Sequence, residues 1–246
     1  MPSRPIVLIP ARMASTRLPG KPLASIAGQP MIVQVWRRAM EAGVGPVAVA
    51  CAEPEIARAV ERAGGQAVLT DPDLPSGSDR VHAALGVLDP DRRFDQVINL
   101  QGDLPTLDPA CVRAVAAALD TTGCDIATLA AEITREPERD DPNVVKAVAA
   151  WQADGRVGRA LYFSRARVPA GEGPHFHHIG IYAYARPALD RFVSLPPSPL
   201  ERRERLEQLR ALEAGMTIAL ARVDTVPLGV DTSADLARAR LLLGGA

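Results

Sequence analysis

The residues best suited to chemistry in this chain stand in one short segment near its start. Residues 6–9 form a continuous apolar run, and the loop that follows carries Arg12, Arg17 and Lys21 together with a serine, a threonine and a glycine. A strand that opens onto a cationic, glycine-bearing loop can hold phosphate groups at the carboxyl edge of an α/β sheet. The segment therefore predicts a phosphate-binding loop.

The charge distribution indicates what kind of anion this loop binds. The first forty residues contain six basic side chains and no acid, whereas the whole chain has a formal net charge of -1. Because the positive charge is local, a small polyanion fits better than a long nucleic acid. The spacing excludes a Walker loop, since Ser15 stands where glycine is needed and Pro22 follows Lys21, and there is no G-x-G-x-x-G fingerprint.

Lysine is rare in this chain in a way that singles out two positions. Of 28 basic residues only Lys21 and Lys146 are lysine, so arginine stands nearly everywhere that either cation would serve. The two lysines are candidates for positions that need a compact ammonium group on a flexible stem. Alternatively, lysine stands at these two positions by chance.

Two aspartates suggest a site for a hard metal ion. Asp103 follows the apolar run 96–100, so its carboxylate is expected at the same sheet edge as the cationic loop, where it would hold Mg²⁺ rather than phosphate. Asp231 precedes Thr232 and Ser233, either of which can cap a last helix with Asp235 in its first turn. Asp231 is therefore either part of that cap or a second metal ligand.

Two further motifs have less specific interpretations. Residues 76–80 (SGSDR) lead into a helix, and their hydroxyls, glycine and helix amides can contact a base edge or an anion, or Ser78 or Asp79 can cap the helix. His175, His177 and His178 suggest zinc, but no cysteine or aspartate cluster accompanies them, which argues against it.

The bulk composition limits the class of protein. A length of 246 residues and 47% hydrophobic content allow one large α/β domain, and no run approaches the ~20 apolar residues that span a bilayer. Neither a secretory signal nor a membrane insertion is expected. The three cysteines are widely spaced, which is typical of reduced thiols in a cytoplasmic protein.

The apolar patterns predict the elements that position these residues. In the first half, strands at 5–9, 46–51, 66–69 and 95–100 alternate with helices at 30–42, 54–63, 78–88 and 108–120, as in a mostly parallel sheet flanked by helices. Strands at 125–133, 144–150, 157–163 and 178–184 follow, with a hairpin turn at Asp154-Gly155. Helices at 187–193, 199–214 and 232–242 and a strand at 216–223 complete the chain. We expect a single domain over 1–246 with a smaller antiparallel lobe at roughly 125–185.

The motifs, taken in order, resemble one known family. IPARMASTRLPGKPL (9–23), SGSDR (76–80), NLQGDLP (99–105), DPNVVKAV (141–148), ALYFSRARVP (160–169), HHIGIYAY (177–184), SPLERRERLEQLR (198–210) and GVDTSADL (229–236) are similar to those of 3-deoxy-manno-octulosonate (KDO) cytidylyltransferases. The resemblance spans essentially the whole chain. It implies a Rossmann-like nucleotidyltransferase fold and a cytoplasmic homodimer that couples CTP to KDO, giving CMP-KDO and pyrophosphate for lipopolysaccharide synthesis.

The resemblance also implies roles for individual residues. Arg12, Arg17 and Lys21 would hold the triphosphate, and Arg12, Lys21 and Asp103 would be catalytic. The cytosine would lie against Pro10, Ala11, Ser76 and Gly77 with Arg80 nearby, and Mg²⁺ would bind Asp103 and Asp231, which favours the metal reading of Asp231 over the cap. The sugar acid would contact Gln101, Arg165, His178, Tyr182, Glu207 and Gln208.

Several alternatives remain open at the level of sequence. Leu104 and His177 stand where family members usually have a glutamate and a basic residue, so those contacts do not carry over. A cytidylyltransferase for a related acid sugar, such as 8-amino-KDO, would differ by a small pocket change. A nucleotide-binding regulator without catalysis would not need Asp103, Asp231, Lys21 and Arg165 together.

Overall fold

The computed structural model describes residues 3–15 and 17–244, so Thr16 of the cationic loop lies outside the described residues. The helices and strands follow one another closely along the chain. They are β1 (Pro5–Ala11), a 3-10 turn (Lys21–Leu23), β2 (Ser25–Ile26), β3 (Gln29–Pro30), α1 (Met31–Ala42), β4 (Val47–Cys51), α2 (Pro54–Arg62), β5 (Gln66–Leu69), α3 (Gly77–Leu88), β6 (Gln96–Asn99), α4 (Pro109–Thr122), β7 (Ile126–Glu132), α5 (Glu136–Asp140), β8 (Lys146–Trp151), β9 (Val157–Ser164), β10 (Phe176–Ala185), α6 (Arg186–Ser194), α7 (Pro199–Glu204), α8 (Gln208–Glu213), β11 (Ile218–Val223) and α9 (Ser233–Gly244).

The chain divides into two compact units, the first made of 1–113 with 227–246 and the second of 114–226. In the first unit four strands pair in parallel in the order β5-β4-β1-β6. The runs of β1, β4 and β6 are buried on both faces, as parallel strands between helices require, whereas the edge strand β5 leaves Leu69 exposed. The four strands of the first half thus pair in parallel. Because the four strands run the same way, the residues after β1, β4 and β6 meet at one sheet edge.

The second unit contains a mixed sheet. β7 pairs antiparallel with β10 and parallel with β11, and β9 pairs antiparallel with β11 and β8. The predicted hairpin is confirmed, since β8 and β9 are joined through a turn with Gly155 at φ 67°. The chain as a whole is thus a mixed α/β protein. The lobe boundary at 125–185 and the single-domain organisation stay predictions.

The predicted helix at 199–214 is wrong, because the chain forms two short helices there. Arg205 adopts the left-handed conformation, with φ 57° and ψ 46°, and ends α7. The leucine spacing continues across this break, so helical periodicity alone could not reveal it. The turn brings the carboxylate of Glu204 to the Ser164 hydroxyl at 2.8 Å and to the Arg165 backbone N–H at 2.9 Å.

The last helix packs against the start of the chain within the first unit. Leu236 and Ala239 of α9 form a buried cluster with Ile26 and Met31, and Val230 joins them just before the helix. This packing fixes the segment that carries Asp231. Among the described residues, no helix is long and apolar enough to cross a membrane.

Candidate active site

A cavity of about 700 Å³ opens at the sheet edge of the first unit. It gathers eleven of the residues singled out from the sequence, namely Pro10, Ala11, Arg12, Arg17, Lys21, Ser76, Gly77, Arg80, Gln101, Asp103 and Asp231. Their sequence separations are large, but each ends or follows a parallel strand, lies at or just before the start of a helix, or lies in the cationic loop. The parallel sheet therefore brings the predicted nucleotide and metal residues of the first unit to one place.

Two glycines allow the backbone to approach β1 closely at this edge. A Cβ atom on Gly102 would lie 2.9 Å from the carbonyl oxygen of Pro10, and one on Gly77 would lie 3.3 Å from the Pro10 ring. The first of these contacts is closer than real Cβ atoms come to backbone. A side chain at position 102 would therefore push the 101–103 turn away from the end of β1.

Lys21 joins the two predicted metal ligands. Its Nζ donates to Asp103 Oδ2 at 2.7 Å and to Asp231 Oδ1 at 3.0 Å. Burial by itself would lower the pKa of Lys21, but the two carboxylates outweigh it and raise that pKa. Arg17 adds a second cation at 3.0 Å from Asp231 Oδ2. The lysine is thus held protonated beside two carboxylates that face one position.

Asp231 does not provide the helix cap that the sequence left open for it. The Thr232 hydroxyl accepts from the Asp235 backbone N–H at 3.2 Å, and Asp235 accepts from the Thr232 N–H at 2.9 Å. Burial would raise the pKa of Asp235, but these hydrogen bonds lower it. Thr232 and Asp235 therefore cap α9 reciprocally, and the Asp231 carboxylate is directed to Lys21 and Arg17 instead.

The 76–80 motif combines a helix cap with a loop anchor. Ser76, rather than Ser78 or Asp79, is the N-cap of α3, and its hydroxyl accepts from the Asp79 N–H at 3.1 Å. Arg80 is 2% exposed and donates to the Thr70 hydroxyl at 2.6 Å and to the Asp71 carbonyl at 2.9 Å. Burial lowers the pKa of Arg80. Arg80 thus lines the cavity while fixing the loop after β5.

Glu53 is a residue of this region that the sequence did not reveal. Both of its carboxylate oxygens lie 3.0 Å from the backbone nitrogen of Met13, in the middle of the cationic loop. Glu53 stands directly before α2 and forty positions from its partner, and a glutamate before a helix is usually an ordinary acid of the first turn. It anchors the loop through one backbone N–H.

The residues assigned to the sugar acid fall in both units. Gln101 lines the cavity of the first unit, and its amide donates to Asn99 Oδ1 at 3.2 Å. In the second unit the rings of His178 and Tyr182 are in contact, with centroids 5.6 Å apart. Burial raises the pKa of Tyr182 well above its usual value, so its phenol keeps its proton. Glu207 and Gln208 begin α8, where Gln208 is 5% exposed.

Arg165 is held by backbone groups of the second unit. Its guanidinium donates from Nε to the Glu204 carbonyl at 2.8 Å and from Nη1 to the Pro142 carbonyl at 2.9 Å, with a longer contact of 3.5 Å from Nη2 to the Arg205 carbonyl. A guanidinium has five N–H groups, so two remain after these three contacts. Two N–H groups suit a carboxylate.

The donor set of the first unit fits a magnesium ion, although no group of three or more metal-binding side chains occurs among residues 3–15 and 17–244. Mg²⁺ in nucleotide enzymes is bound through one or two carboxylates together with substrate phosphates. Asp103 and Asp231 supply two hard oxygen donors that already converge on one cation, the Lys21 ammonium. A pair of carboxylates in this arrangement is what such an ion needs from the protein.

Comparison with known proteins agrees with these features. Residues 6–218 match the family model described as Cytidylyltransferase. The chain is 66% identical over 239 residues to the 3-deoxy-manno-octulosonate cytidylyltransferase of Paramagnetospirillum magneticum, with 97% of each protein covered. It is 69% identical over 239 residues to the enzyme of that name from Parvibaculum lavamentivorans, covering 97% of this chain and 92% of the relative.

A solved structure extends the match to the fold. CMP:2-keto-3-deoxy-manno-octonic acid synthetase complexed with CTP superimposes with a TM-score of 0.90 at 38% identity, and 99% of both chains is covered. The resemblance found in the motifs is therefore confirmed over nearly the whole length. The chain belongs to the 3-deoxy-manno-octulosonate cytidylyltransferase family.

Proposed function

We propose that this enzyme couples CTP to KDO, giving CMP-KDO and pyrophosphate. The anomeric hydroxyl of the sugar attacks the α-phosphorus of CTP in line, a new P–O bond forms, and the bond to the β-phosphate breaks so that pyrophosphate leaves. The observation that carries this proposal is the cavity at the sheet edge, which the three cations of the loop after β1 line together with Asp103 and Asp231. The family match supplies the chemical class.

The cationic side chains address the main electrostatic obstacle to this reaction. Both substrates are anions, and one pair of unit charges 4 Å apart interacts by about 4 kcal/mol at an effective dielectric of 20. Arg12, Arg17 and Lys21 line the cavity, where they would bind the triphosphate and offset that repulsion. Lys21 and Arg12 would also stabilise charge on the departing pyrophosphate.

The ends of β1 and α3 in the cavity suit the nucleoside. The ends of β1 and α3 approach each other at Pro10 and Gly77, and the backbone of Pro10 and Ala11 with Ser76 would frame the cytosine. Arg80 would act by fixing the loop after β5 beside it.

Asp103 and Asp231 would hold Mg²⁺ next to the triphosphate. Bound there, the ion would neutralise phosphate charge and position the α-phosphate. The residues of the chain that make this possible are the Thr232–Asp235 cap, which frees the Asp231 carboxylate, and Lys21, which already holds both carboxylates at one point.

The second unit would contribute the sugar specificity. Arg165 has two guanidinium N–H groups left for the KDO carboxylate, and His178, Tyr182, Glu207 and Gln208 would contact its hydroxyls. A Rossmann-like description of the first unit, a homodimeric assembly and a cytoplasmic location belong to the same proposal. Light scattering of the purified protein measures the assembly.

Pyrophosphate release tests the proposed function directly. Purified enzyme is incubated with CTP and Mg²⁺, with KDO, 8-amino-KDO and N-acetylneuraminate in parallel. We expect the highest kcat/KM with KDO. Higher turnover with 8-amino-KDO would replace the substrate but keep the chemistry. CTP binding without pyrophosphate release from any of the three would instead indicate a nucleotide-binding regulator.

A further inference from the structure

A buried threonine of the second unit contacts one of the proposed sugar ligands. Thr128 lies in β7 and is fully buried. Its hydroxyl oxygen is 3.1 Å from His178 Nε2, 3.1 Å from the Ile179 carbonyl oxygen and 2.8 Å from the Ile181 carbonyl oxygen. One hydroxyl group therefore meets three polar atoms of the neighbouring strand.

These contacts occur at an irregularity in the pairing of β7 with β10. Ile179 lies opposite Leu129 and Ala183 lies opposite Ala127, so residues 180–182 all face Thr128. Extra residues in one strand form a bulge, and a bulge redirects the side chains that it carries. Tyr182 is one of these residues, and its ring contacts the imidazole of His178. The Thr128 hydroxyl lies within hydrogen-bonding distance of the two carbonyls at the bulge and can donate its hydrogen to one of them.

The direction in which the Thr128 hydroxyl donates its hydrogen determines which ring nitrogen of His178 carries a proton. A threonine hydroxyl donates one hydrogen and accepts through two lone pairs, whereas carbonyl oxygens only accept. If the hydrogen pointed to His178, both carbonyl oxygens would face the hydroxyl lone pairs at 2.8 and 3.1 Å with no hydrogen between them. The favourable arrangement donates the hydrogen to a carbonyl, so the hydroxyl accepts from an N–H at His178 Nε2.

We infer that Thr128 is a positioning residue, which fixes His178 as the Nε2–H tautomer and leaves Nδ1 as an acceptor for a sugar hydroxyl. This inference rests on the proposed function, because it takes His178 to contact the sugar. Among the described residues, Nδ1 makes no hydrogen bond, so its lone pair is available. Thr128 itself does not touch the substrate.

The surroundings of the ring agree with a neutral acceptor. Burial lowers the pKa of His178 to about 3, so the imidazole carries no charge at neutral pH. The ring packs between Phe163, at 4.9 Å, and Tyr182, at 5.6 Å. A bare ring nitrogen repels a carboxylate and attracts a hydroxyl hydrogen, so His178 recognises the polyol part of the sugar and the carboxylate is left to Arg165.

Nuclear magnetic resonance measures the tautomer without any substrate. Protein labelled with ¹⁵N at histidine is observed at pH 7, with His178→Ala used to assign the resonances. We expect Nδ1 of His178 at the shift of an unprotonated nitrogen and Nε2 at that of an N–H. Thr128→Val should give a mixture of tautomers, and Thr128→Ser should restore the wild-type pattern. A protonated Nδ1 in the wild type, or an unchanged tautomer in Thr128→Val, would overturn the inference.

Kinetics show whether the threonine acts through the histidine. We expect Thr128→Val to raise KM for KDO about fivefold, the effect of one lost hydrogen bond, with KM for CTP unchanged. In a His178→Ala background the same substitution should add nothing. Thr122→Val is the matched control, because it also removes a hydroxyl that donates to a backbone carbonyl, at 2.7 Å, but lies in α4. Additive effects of Thr128→Val and His178→Ala, or an equal rise of both KM values, would mean that Thr128 is merely structural.

A failure of the proposed function can be distinguished from a failure of the role inferred for Thr128. If the wild type releases no pyrophosphate with KDO, the proposed function fails while the tautomer measurement still decides the state of His178. If the wild type is active but its tautomer differs from Nε2–H, only the role of Thr128 fails.

Discussion

Lys146 offers the sharpest test of how the second unit positions Arg165. The side chain is fully buried at the start of β8, and its Nζ donates to three backbone carbonyls, those of Asp141 at 2.8 Å, Val144 at 2.6 Å and Arg165 at 2.9 Å. Burial lowers the pKa of Lys146. The ammonium thus ties the segment before β8 to the backbone of Arg165, and Lys146→Met would remove that tie at nearly constant length.

The expected loss of stability follows from the backbone carbonyls that would lose the Lys146 ammonium as their donor. Three partly buried carbonyls without a donor cost at most about 1–3 kcal/mol each, whereas removing a buried charge recovers several kcal/mol of its desolvation penalty. We therefore expect Lys146→Met to lower the free energy of unfolding by about 3 kcal/mol. For a chain of this size that corresponds to a Tm lower by about 10 °C. Because Arg165 loses its backbone anchor, KM for KDO should rise more than KM for CTP.

Differential scanning calorimetry and steady-state pyrophosphate release measure the two effects. Lys146→Arg keeps the charge but places a planar guanidinium where three oxygens converge on one point, so it should also lower Tm. Arg159→Met on the exposed face of β9 is the matched control, and its Tm should stay within about 2 °C of the wild type. An unchanged Tm in Lys146→Met would refute the reasoning that the ammonium supports this structure.

Four further predictions concern separate sites. Asp103→Asn should abolish turnover while CTP binding persists in calorimetric titration. Full activity in that variant would refute the proposal that Asp103 binds Mg²⁺. Arg165→Ala should raise KM for KDO far more than KM for CTP, whereas equal rises would remove Arg165 from the sugar site. Cys51, whose thiol pKa is raised to about 11 mainly by burial, should resist a thiol reagent at pH 8, and half-buried Cys124 should react first in peptide mapping. Burial would raise the pKa of Glu201, but its hydrogen bonds with Arg210 lower it. The folded pKa is thus below the unfolded one, so the pair stabilises above about pH 4.3 and its contribution is lost as pH falls. Glu201→Gln should cost about 3 kcal/mol at pH 7 and flatten the acid limb of stability against pH, as measured by urea unfolding.

The sequence was most informative where one physical signal dominated. The strands of the first unit are apolar runs bounded by turn residues, and the structure reproduces them within two residues, for example at Gln66–Leu69. The break within the predicted helix at 199–214 leaves no trace in the sequence, because it is made at Arg205 and arginine carries no signal for a left-handed conformation. The two-residue strands β2 and β3 and the single-turn helix α5 are too short to show a period.

Site residues were predictable where their type is rare in their setting. A carboxylate after an apolar strand and a cationic loop after another are unusual enough to indicate Asp103 and Lys21 from the sequence. Glu53 and Thr128 have no such signal, because their roles depend on partners forty and fifty residues away. Asp231 was ambiguous for a related reason. Only the contacts of Thr232 with Asp235 show that the cap is already complete without it.

The structure explains why lysine, rather than arginine, stands at positions 21 and 146. Lys21 Nζ lies within 3.0 Å of oxygens from two carboxylates, and Lys146 Nζ lies within 2.9 Å of three carbonyl oxygens. Each site asks one nitrogen to donate in several directions from a single point, which an ammonium does and a planar guanidinium cannot. Elsewhere, as at Arg165 and Arg210, the cation donates from separate nitrogens to separated acceptors, and arginine serves better. Both lysines are therefore retained because oxygen atoms converge on them, and arginine at either position would lose at least one of these contacts.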